Sequence, residues 1–157
     1  MMPTESEVRV ERADVSSATS QRLFTAMWAD VDEIYGNDAP SGLELPGMEV
    51  PRAAFVLARD RGEAVGCGAI RPFTETVAEV KRIYVVPQRR GQQIARLIMG
   101  ALEQLARENG FSETRLETGL RQPAAIRLYE NLGYTRIAGF GDYKDDPLSV
   151  CYAKQLS

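Results

Sequence analysis

One stretch constrains the fold more than any other: an unbroken helical pattern that follows an apolar strand and a basic turn containing glycine. Its apolar residues recur at the i, i+3, i+4, i+7 spacing of a helix, and polar residues fill the other face. The apolar set is Ile94, Leu97, Ile98, Ala101, Leu102, Leu105 and Ala106, and the polar set is Arg96, Glu103, Gln104 and Arg107. Asn109 and Gly110 then predict a left-handed cap that ends the helix.

Shorter segments on both sides of this helix complete the predicted order of elements. Runs rich in apolar and β-branched residues predict strands, and helical spacing predicts two further helices. The predicted strands are Val8 to Ala13, Ala53 to Ala58, Ala64 to Ile70, Val77 to Val86, Thr114 to Thr118, Tyr134 to Ala138 and Leu148 to Ala153; the helices are Ser17 to Tyr35 and Pro123 to Leu132, and Gly36 to Gly47 is a loop. This order predicts one α/β domain over residues 1–157, with parallel pairing around the long helix and antiparallel pairing elsewhere.

Histidine is absent from the 157-residue chain, and this removes several kinds of catalytic chemistry. Ser–His–Asp and Cys–His nucleophile systems cannot form, and neither can a zinc site built on histidine. Cys67 and Cys151 are too few for a four-cysteine site and lack ligand-like spacing. We therefore expect no metal, and a general acid or base drawn from Glu, Asp, Tyr, Cys, Lys, a terminus or water.

Charge and hydropathy narrow the classes of partner. The net charge is -3, which gives no support to a general role in nucleic-acid binding. The first residues lack the apolar segment of a signal peptide, and no run approaches the roughly 18 apolar residues of a membrane span. We expect a cytoplasmic protein with reduced thiols and no membrane partner.

The turn between the apolar strand and the long helix has the properties of an anion site. The first turn of a helix leaves backbone N–H groups without internal partners, and the helix dipole adds partial positive charge. Gly91 permits close approach of a phosphate, and Arg89, Arg90 and Arg96 add formal charge. The alternative is that Arg89 and Arg90 form a solvated turn. The segment matches neither a Walker loop nor the dinucleotide fingerprint.

Three segments in register resemble the GNAT N-acetyltransferase superfamily. Arg90 to Ala95 is similar to the family's R/Q-x-x-G-x-G/A signature, Ala125 to Tyr134 to its A-I-x-L-Y-x-x-L-G-F/Y segment, and Glu79 to Val85 to its central strand. The resemblance implies a mixed central sheet of about six to seven strands with about four helices, in which the central strands splay to form a coenzyme A cleft. Two positions depart from the pattern: Gln93 replaces the middle glycine, and Gln122 replaces a frequent asparagine.

The resemblance implies acetyl-CoA as co-substrate and assigns residues to it. The backbone of Ile83 and Val85 would pair with the pantetheine arm, and the N–H groups from Gly91 to Arg96 would hold the pyrophosphate, including that of Gln93 if it is helical and its side chain points away. The implied coenzyme-binding set is Ile83, Tyr84, Val85, Arg90, Gly91, Gln92, Gln93, Ile94, Ala95, Arg96 and Gln122.

The resemblance also implies catalytic roles for three residues. Tyr129 would protonate the leaving thiolate, and the Val85 N–H would polarise the thioester carbonyl. Glu79 would accept the proton of the attacking amine, directly or through water. Two alternatives remain open: Tyr129 is a core aromatic residue of an amphipathic helix, or Glu79 is paired with Lys81 or Arg82 or solvated.

The acceptor is less defined than the coenzyme. An acidic, aromatic cluster would attract a cationic amine, unless it is a solvated helix end; it comprises Trp28, Asp30, Asp32, Glu33 and Tyr35, joined by Asp142 and Tyr143. Arg71 and Phe73 would instead bind a carboxylate. We expect transfer of an acetyl group to a primary amine of a small molecule or peptide. The resemblance also implies pairing of two copies through the sheet edge or the last strands, for which Leu148 to Tyr152 is available. The alternatives are a non-catalytic coenzyme A sensor or regulatory module, or a phosphate or nucleotide binder unrelated to coenzyme A.

Overall fold

A seven-stranded mixed sheet in the order β1-β2-β3-β4-β5-β7-β6 organises the chain. The structure is a computed structural model that describes residues 7–36 and 48–157. Its strands are β1 (Val8–Arg12), β2 (Ala54–Asp60), β3 (Glu63–Pro72), β4 (Val77–Val85), β5 (Glu113–Gly119), β6 (Thr135–Ile137) and β7 (Ser149–Gln155); its α-helices are α1 (Ala18–Tyr35), α2 (Ile94–Glu108) and α3 (Pro123–Asn131).

The pairing pattern confirms the predicted topology. β4 and β5, which flank α2, are parallel, and the other neighbouring strands are antiparallel. Three α-helices and two short 3₁₀ turns, Pro87–Arg89 and Gly141–Tyr143, are present in the described ranges, where about four helices were expected. None of the helices in those ranges has the length and apolarity needed to cross a membrane. The predicted loop from Gly36 to Gly47 lies, beyond Gly36, outside the described residues.

The sheet is buried on both faces, because its strands alternate between two cores. In β2, Ala54 and Val56 pack on the side of α2, whereas Phe55 and Leu57 pack against α1. Successive side chains of a strand point to opposite faces of the sheet. A strand that is apolar at every position must therefore be covered by other elements on both faces. α2 and α3 cover one face, and α1 covers the other.

The start of α1 and the end of α2 each have a local cause. The side chain of Ser17 accepts a hydrogen bond from the Ser20 N–H at 3.1 Å and caps α1. At the end of α2, Gly110 has a φ of 88°. The Phe111 N–H donates to the Ala106 carbonyl at 2.9 Å, which is the pattern of a Schellman cap. The predicted left-handed cap is confirmed.

Two positions of α2 contradict the helical pattern read from the sequence. Leu97, assigned to the apolar face, is 48% exposed, whereas Glu103, assigned to the polar face, is 6% exposed. The carboxylate of Glu103 accepts hydrogen bonds from Tyr134 at 3.0 Å and Lys154 at 2.9 Å. A buried carboxylate is tolerated where it is paired and hydrogen-bonded. Its partners come from distant segments, so the periodicity of α2 could not indicate them.

A bulge in β4 changes which face its side chains occupy. Arg82 has a φ of 59°, and the register with β3 shifts between the Cys67–Tyr84 and Ala69–Lys81 pairs. Ala78 and Val80 pack on the α2 side before the bulge, and Ile83 and Val85 pack there after it. The α2 side of the sheet therefore receives even-numbered side chains of β4 before the bulge and odd-numbered ones after it, because the bulge adds one residue to the strand.

The last strand does not form an edge of the sheet. β7 lies between β5 and β6, and Cys151, Tyr152 and Ala153 pair with β6. Within the segment Leu148 to Tyr152, which was expected to join two copies, Ser149 to Tyr152 pair with β5, and Cys151 and Tyr152 also pair with β6. The edges of the sheet are β1 and β6.

Two glycine-to-alanine substitutions should have opposite effects on stability. A Cβ at Gly66 would lie 2.7 Å from the Tyr84 carbonyl oxygen, whereas one at Gly100, inside α2, meets nothing within 4 Å. We expect Gly66→Ala to lower the free energy of unfolding by about 1–3 kcal/mol through overpacking. Gly100→Ala should raise it by about 1 kcal/mol through helix propensity. Urea unfolding measures both, and an unchanged stability of Gly66→Ala would contradict the close approach of β3 and β4.

Candidate active site

A cleft opens where β4 and β5 separate. The parallel ladder joins only four residue pairs, from Val77–Glu113 to Val80–Leu116. Beyond it lies a cavity of about 980 Å³, lined by residues of α1, β4, β5, α2 and α3 and of the loop before β7. Ligands bind α/β sheets beyond the carboxyl ends of their strands, so this is the expected place for a site.

The backbone of β4 presents an N–H group to this cleft. Val86 donates its N–H to the Val65 carbonyl at 3.0 Å, toward β3. Amides of successive residues in a strand point to opposite edges. The Val85 N–H therefore points toward the gap beside β5, where β4 has no strand partner. By the same alternation the Ile83 N–H points there too, and an extended ligand could pair with this edge.

The turn before α2 has an unusual backbone. Gly91 has a φ of 80°, and Gln93, the residue that precedes the helix, has a φ of 67° and a ψ of 14°. Gln93 was expected to bind phosphate from a right-handed helical conformation, but it adopts the left-handed one that a glycine at this position would take without strain. Its side chain accepts a hydrogen bond from Arg96 at 3.0 Å.

The three arginines near the turn line the cleft, and each has a protein partner. Arg89 forms an ion pair with Asp60 at the end of β2. Arg90 pairs with Asp30 of α1 at 2.8 Å and donates from Nε to the Val85 carbonyl at 3.0 Å. The alternative of a solvated turn does not describe Arg89, whose side chain is 23% exposed, whereas the side chain of Arg90 is paired and also 52% exposed. Both arginines connect the turn to neighbouring elements through these contacts, and both line the cleft next to the N-terminus of α2.

Most of the predicted site residues come together in this cavity. Those that line it are Ile83, Tyr84, Val85, Arg90, Gly91, Gln93, Ile94, Ala95, Arg96, Gln122 and Tyr129. Gln92 does not: it is exposed, and its side chain accepts a hydrogen bond from Arg89. A helix N-terminus, a glycine turn and guanidinium groups on one wall form a donor set suited to a diphosphate, so the residues present fit the expected coenzyme.

Tyr129 lies on α3 and faces the cavity with only 6% of its surface exposed. Its ring packs edge-to-face on Tyr134, with 6.0 Å between centroids. Burial, and then the charge of Glu117, raises the pKa of the Tyr129 hydroxyl well above 10. The hydroxyl is therefore protonated at neutral pH and can act as a proton donor.

Glu79 is buried and held by cations. Its carboxylate accepts a hydrogen bond from Arg71 at 3.0 Å and faces the Lys81 ammonium at 3.7 Å. The pairing with Lys81, one of the alternatives drawn from the sequence, is present. Glu79 does not line the large cleft but a separate cavity of about 120 Å³. Its role as a base stays a prediction.

Glu117 of β5 is a cleft residue that the sequence analysis missed. It lines the large cavity and accepts a hydrogen bond from the Ser149 hydroxyl at 2.7 Å. Burial raises the pKa of its carboxyl group, against the lowering effects of Ser149 and Lys81. One sequence signal could have indicated it: Glu117 is a charged residue near the carboxyl end of a short strand that follows a crossover helix, and ligands of α/β sheets bind beyond such strand ends.

The predicted acceptor residues divide between two places. Trp28, Asp30, Asp142 and Tyr143 line the large cleft. Asp32 and Glu33 are exposed outside it, and the side chain of Tyr35 is not among those described. Arg71 and Phe73 line the smaller cavity with Glu79. Both ideas about the acceptor therefore have residues in place, in neighbouring pockets that share Asp142 and Tyr143.

Replacing Gln93 by glycine should stabilise the protein. A left-handed conformation costs an L-residue about 1–2 kcal/mol, and glycine loses about 0.5–1 kcal/mol more backbone entropy on folding. We expect Gln93→Gly to raise the free energy of unfolding by about 0.5–1 kcal/mol. Gln92→Gly, one residue earlier, should lower it, because the φ of Gln92 is not positive. Equal losses for both variants in urea unfolding would contradict the strained backbone at Gln93.

Comparison with known proteins gives a consistent result. A model of the acetyltransferase (GNAT) family matches residues 19–134. An IAA acetyltransferase of Azospirillum brasilense is 40% identical over 125 residues, which cover 79% of this chain and 82% of that protein. The solved structure of a candidate acyl-CoA N-acyltransferase from Klebsiella pneumoniae superposes with a TM-score of 0.82 at 36% identity, covering 96% of this chain and 99% of the other.

A more distant neighbour shares the fold with its coenzyme present. YncA, a candidate acetyltransferase from Salmonella typhimurium solved with its cofactor acetyl-CoA, superposes with a TM-score of 0.73 at 17% identity, covering 96% of this chain and 94% of that one. The family match covers the splayed strands, the turn before α2 and α3, and the resemblance noted from the sequence is confirmed. The chain belongs to the GNAT family of acetyltransferases.

Proposed function

We propose that this protein transfers an acetyl group from acetyl-CoA to a primary amine of a small molecule or peptide. One observation carries the proposal: the buried Tyr129 hydroxyl and the β4 edge that bears the Val85 N–H border one cleft, which also reaches the N-terminus of α2. Membership of the GNAT family and its acetyltransferase relatives support the reaction class.

The coenzyme would be held mainly by backbone groups. Gly91 and Gln93 to Arg96, which open α2, line the cleft, and their N–H groups would bind the pyrophosphate. The unpaired edge of β4 at Ile83 and Val85 would bind the pantetheine arm as an added strand does. Gln122, which precedes α3, lines the same cavity and is available for a further contact.

Bound acetyl-CoA supplies an activated acetyl thioester, and the Val85 N–H supplies the charge stabilisation that acyl transfer needs. Negative charge develops on the thioester oxygen as an amine attacks. A donor already fixed in a strand stabilises that charge without reorganisation, and one such donor contributes about 3 kcal/mol. The amine attacks directly, so no protein nucleophile is required. The two cysteines are buried, and burial raises the pKa of both thiols, that of Cys67 to about 12.

Tyr129 would supply a proton to the departing sulfur. Its hydroxyl keeps its proton at neutral pH, because burial raises its pKa. A thiol has an ordinary pKa of about 8.5, so its thiolate leaves with little assistance. Since the phenol is the weaker acid, a modest catalytic contribution is expected from it.

The attacking nitrogen must also lose a proton. Buried or half-buried carboxylates near the cleft include Glu79 and Glu117. Glu79 was the residue implied by the family resemblance, acting directly or through water. Trp28, Asp142 and Tyr143 on the same side of the cleft would shape the acceptor pocket.

Two measurements test the proposal together. Titration calorimetry should show that acetyl-CoA binds, whereas ATP and NAD do not compete. Thiol release from acetyl-CoA should then rise when amines are added from a panel of amino acids, polyamines, aminoglycosides and peptides. Tight binding without transfer to any amine would instead support a coenzyme A sensor, and absence of binding would contradict the coenzyme site.

Tyr129→Phe should lower kcat by about tenfold to a hundredfold, the low end of general acid–base effects. Its Kd for acetyl-CoA should stay within about threefold of the wild-type value, a change below 1 kcal/mol. Tyr152→Phe is the matched control, since the hydroxyl of Tyr152 bonds Glu130 and the residue does not line the cleft. Equal kcat values for wild type and Tyr129→Phe would show that Tyr129 is only a core aromatic residue.

A further inference from the structure

We infer that Tyr134 and Glu103 are positioning residues for the reaction, because together they hold the ring of Tyr129 in one orientation toward the cleft. The inference rests on the proposed acetyl transfer, in which Tyr129 gives a proton to the departing sulfur. Neither Tyr134 nor Glu103 lines the cleft, so both act through Tyr129. The contacts that connect them run from α3 inward to α2, β5 and β7.

The Tyr129 side chain is placed by the packing of its ring. Among the described residues, none donates a hydrogen bond to its hydroxyl or accepts one from it, and the residue lines the cleft. The direction of the hydroxyl therefore follows the ring. That ring meets the ring of Tyr134 edge-to-face, with 6.0 Å between centroids and 65° between planes, an arrangement that aromatic pairs prefer. The orientation of Tyr134 thus fixes one side of the Tyr129 ring.

The turn after α3 brings the two rings together. Gly133 has a φ of 93°, the Tyr134 N–H donates to the Tyr129 carbonyl at 3.0 Å, and the Gly133 N–H donates to the Glu130 carbonyl at 3.1 Å. This is a Schellman cap, in which the residue after the glycine commonly packs on the last turn of the helix. The cap explains why the rings meet, but it does not fix the hydroxyl end of Tyr134.

Two hydrogen bonds fix that end. The Tyr134 hydroxyl donates to the Glu103 carboxylate of α2 at 3.0 Å and lies 2.8 Å from the Thr114 hydroxyl of β5. A phenol has one proton, so Thr114 must be the donor of the second bond. All three side chains are buried. Burial, and then the charge of Glu103, raises the pKa of Tyr134 well above its ordinary value, so its hydroxyl keeps the proton that it donates.

Lys154 of β7 holds Glu103 in turn. Its ammonium donates to the other carboxylate oxygen at 2.9 Å and lies 5.7 Å from the centre of the Tyr134 ring. Burying such a pair is costly, and apolar side chains of similar size often give equal or greater stability. What these groups contribute is therefore direction. Hydrogen bonds from α2 and β5, with β7 behind them, favour one placement of the Tyr134 ring.

The ring resonances of Tyr129 test the inference without any acceptor. In protein labelled with ¹³C in its tyrosine rings, the Tyr129 signal is the one that Tyr129→Phe removes. Tyr134→Phe keeps an aromatic ring at the contact but removes its anchor, so the Tyr129 signal should shift. Thr114→Val, which removes only the hydroxyl that donates to Tyr134, should also shift it. A signal that neither variant moves would overturn the inference.

Tyr152→Phe is the matched control for this measurement. The hydroxyl of Tyr152 bonds Glu130, the neighbour of Tyr129 in α3, at 3.1 Å, and Tyr152 is buried. Its removal therefore takes a buried phenol hydroxyl from the same helix without touching the contacts of Tyr134. We expect the Tyr129 signal to stay in place in Tyr152→Phe.

Kinetics distinguish a positioning role from a purely structural one, with the best amine of the panel as acceptor. Tyr134→Phe should lower kcat by about threefold to tenfold, less than the roughly hundredfold cost of misplacing a reacting group by about 1 Å. The KM for the amine and the Kd for acetyl-CoA should stay within about threefold, since Tyr134 does not line the cleft. In the Tyr129→Phe background, Tyr134→Phe should lower kcat no further, because coupled residues are not additive.

The outcomes separate the two proposals. A fall in kcat by the same factor in both backgrounds would show that Tyr134 acts through the fold as a whole, and the inference is then wrong. If Tyr134→Phe does not fold, the same cycle with Thr114→Val decides the question. If wild type binds acetyl-CoA but transfers to no amine, the proposed function fails, and the Tyr129 signal still decides whether Tyr134 and Glu103 orient that ring.

Discussion

The early end of the ladder between β4 and β5 is the constraint on which the rest of the site depends. Four residue pairs join the strands, and β4 then bulges at Arg82 while it stays paired with β3. β5 continues along β7. A buried backbone normally has its N–H and C=O groups paired. The separation leaves one edge of β4 unpaired beside a cavity, and that edge can hold an extended ligand while the sheet itself stays intact.

Ion pairs fix the turn that completes this site. Arg90 contacts the Val85 carbonyl and the Asp30 carboxylate, and Asp30 also accepts a hydrogen bond from Tyr84. One guanidinium thus connects the end of β4, the turn before α2 and helix α1. Arg89 adds a second connection, to Asp60 of β2. These contacts connect α1 to the turn before α2 across one wall of the cleft.

The sequence predicted most of the fold because its strongest signals are local. The period of α2, the cap at Gly110 and the alternation of strands and helices each depend on residues a few positions apart. Nearly all of the residues that the three motifs assigned to the coenzyme line the cleft, and Gln92 is an exception, since its side chain turns to Arg89. Local periodicity assigned Leu97 to the buried face of α2 and Glu103 to the exposed face, and both assignments are wrong. Local spacing could not reveal the burial of Glu103, because its partners lie far along the chain.

By itself, the sequence determined the elements, their order, the turn with glycine and arginines before α2, and the exclusion of histidine chemistry. Only the tertiary structure decided which carboxylates face the cleft and where β7 lies in the sheet. The physical reason is that strand register and bulges set the face on which a side chain appears. One extra residue at Arg82 reverses that face for the rest of β4. The same register places Glu117 at the point of separation and Glu79 beside Arg71, a distinction that no spacing along the chain contains.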